Sequence, residues 1–413
     1  MQKKQSFGHR ILFAVILLIT LSLVSCHKNL YKRHRAACNE NIQVNKDHPM
    51  KDSIQKIINK YIAQGIPGIQ VVVKNNQGWY FTSGGYSNTE QQESFKSCTP
   101  GWLFSLTKTY TAALIMRYKE KGLINPDKVI STYLTAEVLA NIENPEKITV
   151  RMLMNHSSGL VNFTGLPEFQ MDQFNHPYDQ PTPMQAIKYV HGKALEFEPG
   201  TDYLYSNTNY LLLYFILEKT GRKKYEQLVK EEIVQPLHLE HTWCVLSQTA
   251  IDKLGFPNYY FDRKGNSQLE NGTQWNNHLA NASYGYGNIA ASAKDVILFY
   301  EALQQGKVVN TTSLKEMKTW VQGRESTQPD YGLGLEYFQY APGSEPQFGH
   351  EGDGVGNSVQ LLYIPANNTY LYTQCNVGRQ IPGPYLFKIT DMKNELCRYV
   401  ARWKYIKDGG TKN

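Results

Sequence analysis

The chain has 413 residues, of which 41% are hydrophobic and 19% charged, so it can bury the core of one large domain or two interleaved ones. This composition excludes collagen, coiled-coil and wholly disordered proteins. The formal net charge is +7, and subtracting Lys3, Lys4 and Arg10 of a predicted leader leaves +4 with no long basic stripe. This charge is too small and too scattered to indicate a nucleic-acid partner.

The N-terminus has the pattern of a secretory signal. Basic residues precede an apolar run over 11–24, which ends in Leu23-Val24-Ser25-Cys26. A basic head, a short apolar centre and small residues before a cut are typical of such signals, and a membrane-spanning helix needs about 20 apolar residues. The end of the run resembles a bacterial lipobox. We therefore predict a lipoprotein signal peptide over 1–26, lipidated at Cys26; an uncleaved anchor helix and a plain signal cut elsewhere are the alternatives.

The pattern also predicts where the protein resides and how its chain is divided. The folded part is expected outside the cytoplasm, as a cell-membrane or outer-membrane lipoprotein that faces the periplasm or the exterior and touches the membrane through its lipid. Residues 27–48 are polar and basic and lack apolar periodicity, which predicts a tether. A single folded domain is predicted over 49–405, with a helical insertion over roughly 125–290.

Periodicity predicts the elements of this domain. Apolar spacing indicates helices over 53–63, 105–120 and 386–400. Runs rich in β-branched and aromatic residues indicate strands over 69–74, 79–83, 337–340, 358–364 and 369–374. Strands at both ends with helices between them predict an α/β (α+β) fold. In this fold an antiparallel sheet, built from both ends of the chain, is flanked by helices and carries an inserted, mostly helical domain.

The cysteines and histidines do not indicate a metal or a cofactor. Apart from Cys26, the cysteines are scattered and form no C-x-x-C pair. Their odd number leaves at least one free thiol. An exported protein can form disulfides, but most of these cysteines are predicted to be small buried hydrophobes. His350-Glu351 begins an H-E-x-x-H zinc pattern, but Gly354 stands where its second histidine belongs.

The strongest chemical signal is Ser105-Leu106-Thr107-Lys108, just before an apolar helix. Positions three apart share a helix face, so Ser105 and Lys108 are expected to point the same way. A serine at a helix start lies beside backbone N–H groups and the positive end of the dipole, which suits a developing oxyanion. A neutral lysine accepts the serine proton, whereas a charged one stabilises negative charge. Alone the motif is weak, because a capping serine with an exposed lysine gives the same pattern.

Two further motifs accompany it. Tyr205-Ser206-Asn207 precedes an apolar helical run; a tyrosine with a lowered pKa shuttles protons, and an asparagine amide holds a substrate carbonyl. His350-Glu351-Gly352 is predicted to lie just before a strand. There the glycine lets a substrate backbone approach closely, and the imidazole acts electrostatically or as a proton relay.

The three motifs, in this order, resemble those of serine β-lactamases and penicillin-binding proteins, specifically the class C β-lactamase and D,D-peptidase branch, which carries S-x-x-K, Y-x-N and then K-T-G or H-x-G. Segments 122–134, 148–160, 287–295 and 331–334 are also similar to this family. The resemblance covers roughly 50 to 400 and implies a β-lactamase/transpeptidase-like fold. In this family the turn that holds His156 is structural.

The resemblance also implies roles. Ser105 would attack a carbonyl and form an acyl-enzyme, while Lys108 and Tyr205 would share general base and acid duty in an order that is left open. Asn207 would orient the substrate amide.

The third motif would complete the substrate site. His350 would lie near a substrate carboxylate, and Gly352 would border the substrate. The backbone N–H groups of Ser105 and Asp353 would form the oxyanion hole.

Two departures from the family pattern affect the predicted activity. Histidine in the place of the third-motif lysine is commoner in D,D-peptidases and esterases than in efficient β-lactamases. Glu351 stands where the family has a small hydroxyl residue, and it is expected to repel a substrate carboxylate. The Glu-x-x-Leu-Asn segment that class A enzymes use for deacylation is also missing from the sequence.

The sequence thus predicts a secreted serine hydrolase that needs no cofactor and cleaves an amide or ester of a small-molecule or peptide acyl substrate. Its activity is expected to resemble that of a D,D-carboxypeptidase or esterase more than a resistance-grade β-lactamase. The alternative is a catalytically weak protein that binds penicillins or cell-wall peptides. Neither the natural substrate nor the oligomeric state is encoded in a readable motif.

Overall fold

The computed structural model describes residues 42–179, 181–340 and 346–403. The predicted signal peptide, its lipidation site Cys26 and most of the predicted tether lie outside these residues. Within the described ranges, no helix has both the length and the apolar character needed to cross a bilayer.

The strands of the described chain form one large sheet and two small ones. In chain order they are β1 (Gly68–Asn75), β2 (Gly78–Asn88), β3 (Glu93–Ser94), β4 (Gly101–Trp102), β5 (Thr242–Cys244), β6 (Tyr260–Phe261), β7 (Glu270–Asn271), β8 (Ile289–Ala291), β9 (Glu336–Phe338), β10 (Gln347–Asp353), β11 (Ser358–Ile364) and β12 (Thr369–Cys375). The large sheet is antiparallel with the order β3-β2-β1-β12-β11-β10-β9. The small sheets are β4-β8-β5 and β6-β7.

The centre of the large sheet joins the two ends of the folded chain. Strand β1 forms a hairpin with β2 on one side and pairs with β12 on the other, so that Ile69 lies opposite Cys375. The run Val71-Val72-Val73 is fully buried, and Val72 packs into a different apolar cluster from Val71 and Val73. A strand that is buried on both faces reads as a continuous apolar run. The predicted sheet, built from both ends of the chain, is therefore confirmed.

Helices cover both faces of this sheet. In chain order they are α1 (Lys51–Ala63), α2 (Thr107–Glu120), α3 (Ala136–Leu139), α4 (Val150–Met154), α5 (Pro167–Asn175), α6 (Pro183–Lys188), α7 (Asn207–Gly221), α8 (Tyr225–Val229), α9 (Gln248–Leu254), α10 (Thr273–Asn281), α11 (Ala293–Gln304), α12 (Thr311–Met317) and α13 (Pro384–Ala401). The apolar sides of α1 and α13 pack on one face of the sheet. Helices α2, α7 and α11 share the larger core on the other face.

Two local expectations differ from the structure. The helix expected over 105–120 begins as a 3₁₀ turn, Phe104–Leu106, and only α2 is α-helical. The third motif lies inside β10 and not just before a strand. Glycines at positions 349 and 352 weaken the β signal of this segment, which is nevertheless held by its pairing with β11.

The described cysteines fall into two kinds. Cys375 and Cys397 are buried free thiols in the core between the sheet and α13, and Cys244 is also a free thiol. Cys98 is disulfide-bonded. The expectation that most cysteines act as small hydrophobes is met by the two buried thiols.

Candidate active site

The turn that carries Ser105 is held in an unusual backbone conformation. Phe104, the residue before the serine, has a φ of +43°, which a non-glycine side chain adopts only when its surroundings enforce it. Its ring is packed so closely that a Cβ atom added to Gly354 would lie 2.3 Å from it. The turn ends where α2 begins, so Ser105 lies at the N-terminal end of that helix, where the helix dipole suits a developing oxyanion.

Gly352 brings strand β10 against this turn. A Cβ atom added to Gly352 would lie 1.9 Å from the carbonyl oxygen of Leu103, a separation that no side chain allows. The sequence predicted that a substrate backbone would approach here. In the structure the chain's own Leu103 makes the close approach, and the predicted contact between Gly352 and substrate stays a prediction.

We expect Gly352→Ala to destabilise the fold by about 1–3 kcal/mol, because the added methyl must push the strand away from the turn. Activity should fall further than stability, since Ser105 moves with the turn. Gly323→Ala is the matched control: its Cβ meets its nearest neighbour at 3.5 Å, an ordinary contact. Denaturant unfolding and steady-state kinetics of both variants test this, and equal effects of the two substitutions would contradict it.

Lys108 contacts the side chain of Ser105 directly. Its Nζ atom lies 2.9 Å from Ser105 Oγ, 2.7 Å from Asn207 Oδ1 and 3.3 Å from the carbonyl oxygen of Tyr286. The side chain is fully buried, and burial holds the pKa of Lys108 well below its ordinary value of 10.5. Because desolvation disfavours the ammonium form, this lysine is suited to accept the serine proton.

Tyr205 contacts the same hydroxyl from another side. Its phenol lies within interaction range of the Ser105 side chain, and Lys108 Nζ lies 4.7 Å from the centre of its ring. Burial, followed by the negative charge of Glu336, raises the pKa of Tyr205 well above 10. The sequence-based idea of a tyrosine with a lowered pKa is therefore wrong for this conformation: Tyr205 is a neutral phenol that can donate a proton.

Asn207 connects the lysine to the wall of the site. Its Oδ1 accepts the hydrogen bond from Lys108, and its Nδ2 donates to Thr164 Oγ1 at 2.8 Å. Its backbone N–H donates to Asn162 Oδ1 at 2.9 Å. The amide orients the lysine and also lines the cavity, so the structure brings Ser105, Lys108, Tyr205 and Asn207 together, although they are separated by up to about a hundred positions in the chain.

His350 is fully buried behind this group and does not border the cavity. Its Nδ1 donates to the carbonyl oxygen of Glu351 at 2.6 Å, and its Nε2 accepts from the Tyr331 hydroxyl at 2.7 Å. Burial lowers the pKa of His350 well below 6.5. Both ring nitrogens are engaged and the ring is neutral, so the predicted proton relay is not supported here, and a contact with a substrate carboxylate stays a prediction.

His156 is placed to support the structure, as expected for a residue of its turn. The side chain is fully buried, and its Nδ1 accepts from the backbone N–H of Ser206 at 3.2 Å. Its ring centre lies 4.4 Å from that of Tyr205. The histidine thus supports the segment that carries the tyrosine.

Ser105 opens into a cavity of about 820 Å³. Its apolar part is lined by Phe104, Phe169, Phe174, Trp275, Leu279, Tyr286, Val355 and Ile381. Half of these residues come from segments 161–185 and 255–285. Its charged part is lined by Glu336, Glu351, Asp353 and Arg379.

The charged part is a compact ion network. Arg379 binds both Glu351 and Asp353, with Nη2 at 2.8 Å from Asp353 Oδ2. Lys393 of α13, which is almost completely buried, lies 3.4 Å from Glu351 Oε1 and 3.9 Å from Asp353 Oδ1. Glu351 was expected to repel a substrate carboxylate. In the structure two cations compensate its charge, so that repulsion is weaker than the sequence indicates.

Glu336, Arg379 and Lys393 are site residues that the sequence reasoning missed. Arg379 follows the last strand, and Lys393 lies on the closing helix. The one available signal was the excess of acidic residues in the third motif: Glu351 and Asp353 enter a packed strand, and buried carboxylates require partners.

The chain is similar to known proteins in sequence. The family model described as Beta-lactamase matches residues 54–381. The chain is 25% identical over 299 residues to penicillin-binding protein 4* of Bacillus subtilis (strain 168), a match that covers 71% of this chain and 64% of that protein, which is less than two thirds of its length.

Two solved structures are similar as well. A D-stereospecific amidohydrolase from Streptomyces sp. superposes with a TM-score of 0.70 and 25% identity over 83% of this chain and 98% of the other. The D-amino acid amidase of Ochrobactrum anthropi SV3 has a TM-score of 0.74 at 20% identity, over 85% of this chain and 98% of the other. The second likeness shows a shared fold.

Proposed function

Because the chain belongs to the beta-lactamase family, as the resemblance of its motifs indicated, we propose that it is a serine hydrolase. It would form an acyl-enzyme on Ser105 and cleave amides or esters. The observation that carries this proposal is the contact of the buried Lys108 Nζ with Ser105 Oγ at 2.9 Å. The Tyr205 side chain, which lines the same cavity and interacts with Ser105, also supports it. A protein that only binds ligands has no need of a serine held between a neutral amine and a phenol.

In the acylation step, Ser105 Oγ attacks the substrate carbonyl carbon while neutral Lys108 accepts the hydroxyl proton. The resulting oxyanion lies near the start of α2, where the helix dipole favours negative charge. The backbone N–H groups of Ser105 and Asp353 stay the predicted oxyanion donors. Both residues border the same cavity.

Collapse of the intermediate requires a proton on the leaving group. Tyr205, which is neutral because burial raises its pKa, donates its proton to the leaving amine or alcohol and regains one from the Lys108 ammonium. Water then attacks the acyl-enzyme, Lys108 accepts its proton, and Ser105 recovers its hydroxyl as the acid leaves. This order assigns the base to Lys108 and the acid to Tyr205.

The cavity suits an apolar acyl group. Phe169, Phe174 and Trp275 form part of its wall, and aromatic side chains bind apolar groups by area and by ring contacts. The ion network occupies the opposite part, where Arg379 is already paired with two carboxylates. This arrangement supports amidase, peptidase or esterase activity more than efficient β-lactam hydrolysis.

A substrate panel tests the proposal. The full chain is incubated with an aryl ester, an amino-acid amide, a D-alanyl-D-alanine peptide and a cephalosporin, and product formation is followed. Continuous hydrolysis of the ester or the amide supports the proposal. A single stoichiometric adduct without turnover, or no reaction with any of the four, contradicts the proposal and favours the alternative of a weak penicillin- or peptide-binding protein.

The pH dependence follows from the pKa shifts of the two groups. Lys108 must be neutral to act as base, so kcat/KM rises as pH rises through its pKa. Because burial lowers that pKa, the midpoint of the rise should lie well below 10.5. The pKa of Tyr205 is raised, so we expect no decline near pH 10 from its ionisation. A profile of kcat/KM between about pH 5 and 11 measures the rise and any decline, and a rise centred at 10.5 would contradict the assignment.

We also propose that the protein is exported and held at the membrane by a lipid on Cys26. The basic head and apolar run over 1–24 and the cysteine after them support this. The disulfide at Cys98 also supports it, because disulfides persist in oxidising compartments. Expression in a bacterial host with labelled palmitate should label the full chain. Cys26→Ser should remain unlabelled, and equal labelling of both would contradict the anchor.

A further inference from the structure

The acidic and basic side chains around the active-site cavity do not all form pairs. Three carboxylates, Glu336, Glu351 and Asp353, line it. Two side-chain cations face them: Arg379 and Lys393 each contact both Glu351 and Asp353. Glu351 and Asp353 are thus compensated, and one carboxylate is left over.

Glu336 is the carboxylate without a counter-charge. Among the described residues, no lysine or arginine nitrogen lies within 4.0 Å of it. Its Oε2 accepts the backbone N–H of Glu351 at 2.8 Å. Its Oε1 lies 3.6 Å from Nδ1 of His350, but that nitrogen already donates to the carbonyl oxygen of Glu351, and the ring is neutral. Oε1 therefore retains an acceptor site, and Glu336 is one of the residues that line the cavity.

The position of Glu336 is close to the reacting groups. Glu336 lines the same cavity as Ser105 and Tyr205, and Lys108 contacts the Ser105 hydroxyl. About 24% of the Glu336 side chain is exposed, so a ligand can reach it. Burial raises its own pKa to about 8, so near neutral pH the unliganded side chain is largely protonated and ionises when a cation binds beside it.

We propose that Glu336 determines substrate specificity by binding a cationic group of the substrate, the α-ammonium of an amino-acid amide or ester. This inference rests on the proposed function, which places the scissile carbonyl at Ser105. The ammonium would stabilise the ionised form of Glu336 and would bring the one positive charge that the site then lacks. It would also donate to the free acceptor site on Oε1, and hydrogen bonds between charged groups are the stronger kind.

A substrate carboxylate fits the same place less well. Arg379 and Lys393 are the cations that would bind it, and both are already engaged by Glu351 and Asp353. Binding of a carboxylate would add a negative charge beside Glu336. Buried like charges are unfavourable, so the network selects against an anionic group in this part of the cavity.

Ligand binding by a Ser105→Ala variant tests the inference without depending on catalysis. The ligands are D- and L-phenylalanine amide, which carry the α-ammonium, and 3-phenylpropanamide, which has the same phenyl and amide groups but no amine. We expect the variant to bind at least one amino-acid amide about tenfold or more tightly than the neutral amide. Titration calorimetry measures the two affinities, and their ratio is the readout.

Glu336→Gln, added to this variant, removes the charge and keeps an amide oxygen that can accept the Glu351 N–H. The affinity ratio should fall to near one. Glu146→Gln is the matched control, because Glu146 is an exposed turn residue outside the cavity lining, and it should leave the ratio unchanged.

Four results would overturn the inference: a ratio near one before Glu336 is changed, a ratio that survives Glu336→Gln, tighter binding of N-acetyl-D-alanyl-D-alanine than of the amino-acid amides, or no measurable binding of any ligand. Failure of the full chain to hydrolyse the substrate panel is a separate result. That failure contradicts the proposed function, whereas the affinity ratio reports on Glu336 alone.

Discussion

Ser105→Ala is expected to lower kcat/KM, for any ester or amide that the wild-type protein hydrolyses, by at least about 10⁴-fold, because no other group at this position can form the covalent intermediate. The substitution removes one oxygen atom from a turn that is held by the packing of Phe104 and Gly352. The fold should therefore be retained, and the midpoint of thermal unfolding should change little.

The measurement is steady-state kinetics of both proteins, with unfolding followed by circular dichroism. Ser53→Ala is the matched control, since Ser53 lies on α1 and does not border the cavity; it should keep full activity. A Ser105→Ala protein that is folded and retains more than a few per cent of wild-type activity would show that another nucleophile performs the reaction.

Lys108→Met should lower kcat by about 10²–10⁴-fold, the usual contribution of a general base. Methionine preserves much of the length and apolar stem of lysine but has no nitrogen to accept the serine proton. It also removes the donor to Asn207 Oδ1. Burying methionine avoids the free-energy cost of burying an amine, and this offsets part of the lost hydrogen bond. We therefore expect the free energy of unfolding to change much less than the activation free energy of the reaction.

Lys108→Arg separates the base from a purely electrostatic role. A guanidinium remains charged at every accessible pH, so it can stabilise negative charge but cannot accept a proton. We expect this variant to be nearly as inactive as Lys108→Met, while Lys56→Met, an exposed substitution on α1, should have no effect. If Lys108→Arg kept a tenth or more of the wild-type kcat, the lysine would act by its charge, and the assignment of the base would be wrong.

The sequence predicts the part of this site whose residues are close together in the chain. Ser105 and Lys108 are three positions apart at the start of a helix, and their contact follows from helical geometry alone. Tyr205 and Asn207 are about a hundred residues away. Only the resemblance to a family linked them to the serine, because no local rule brings α7 beside α2.

The charged half of the site could not be read in this way. Glu336 reaches the site through the pairing of β9 with β10, and Lys393 through the packing of α13 on the sheet. Like Arg379, each appears in the sequence as an ordinary charged residue. Their positions depend on tertiary contacts that propensity and periodicity do not encode.

The side of the strand on which His350 lies was not predicted from the sequence either. Successive side chains of a strand point to opposite faces. Glu351 and Asp353 face the cavity, whereas His350 and Gly352 face the interior. Because the motif was expected before a strand and not within one, this alternation was not available, and the histidine was assigned to a substrate carboxylate.

The most direct test of the account is the identity of the residue that becomes acylated. The full chain is treated with a fluorophosphonate or a fluorescent penicillin, digested and analysed by mass spectrometry. The account predicts a single adduct on the peptide that contains Ser105, its loss in Ser105→Ala and its slower formation in Lys108→Met. An adduct on any other residue, or equal labelling of the Ser105→Ala protein, would contradict it.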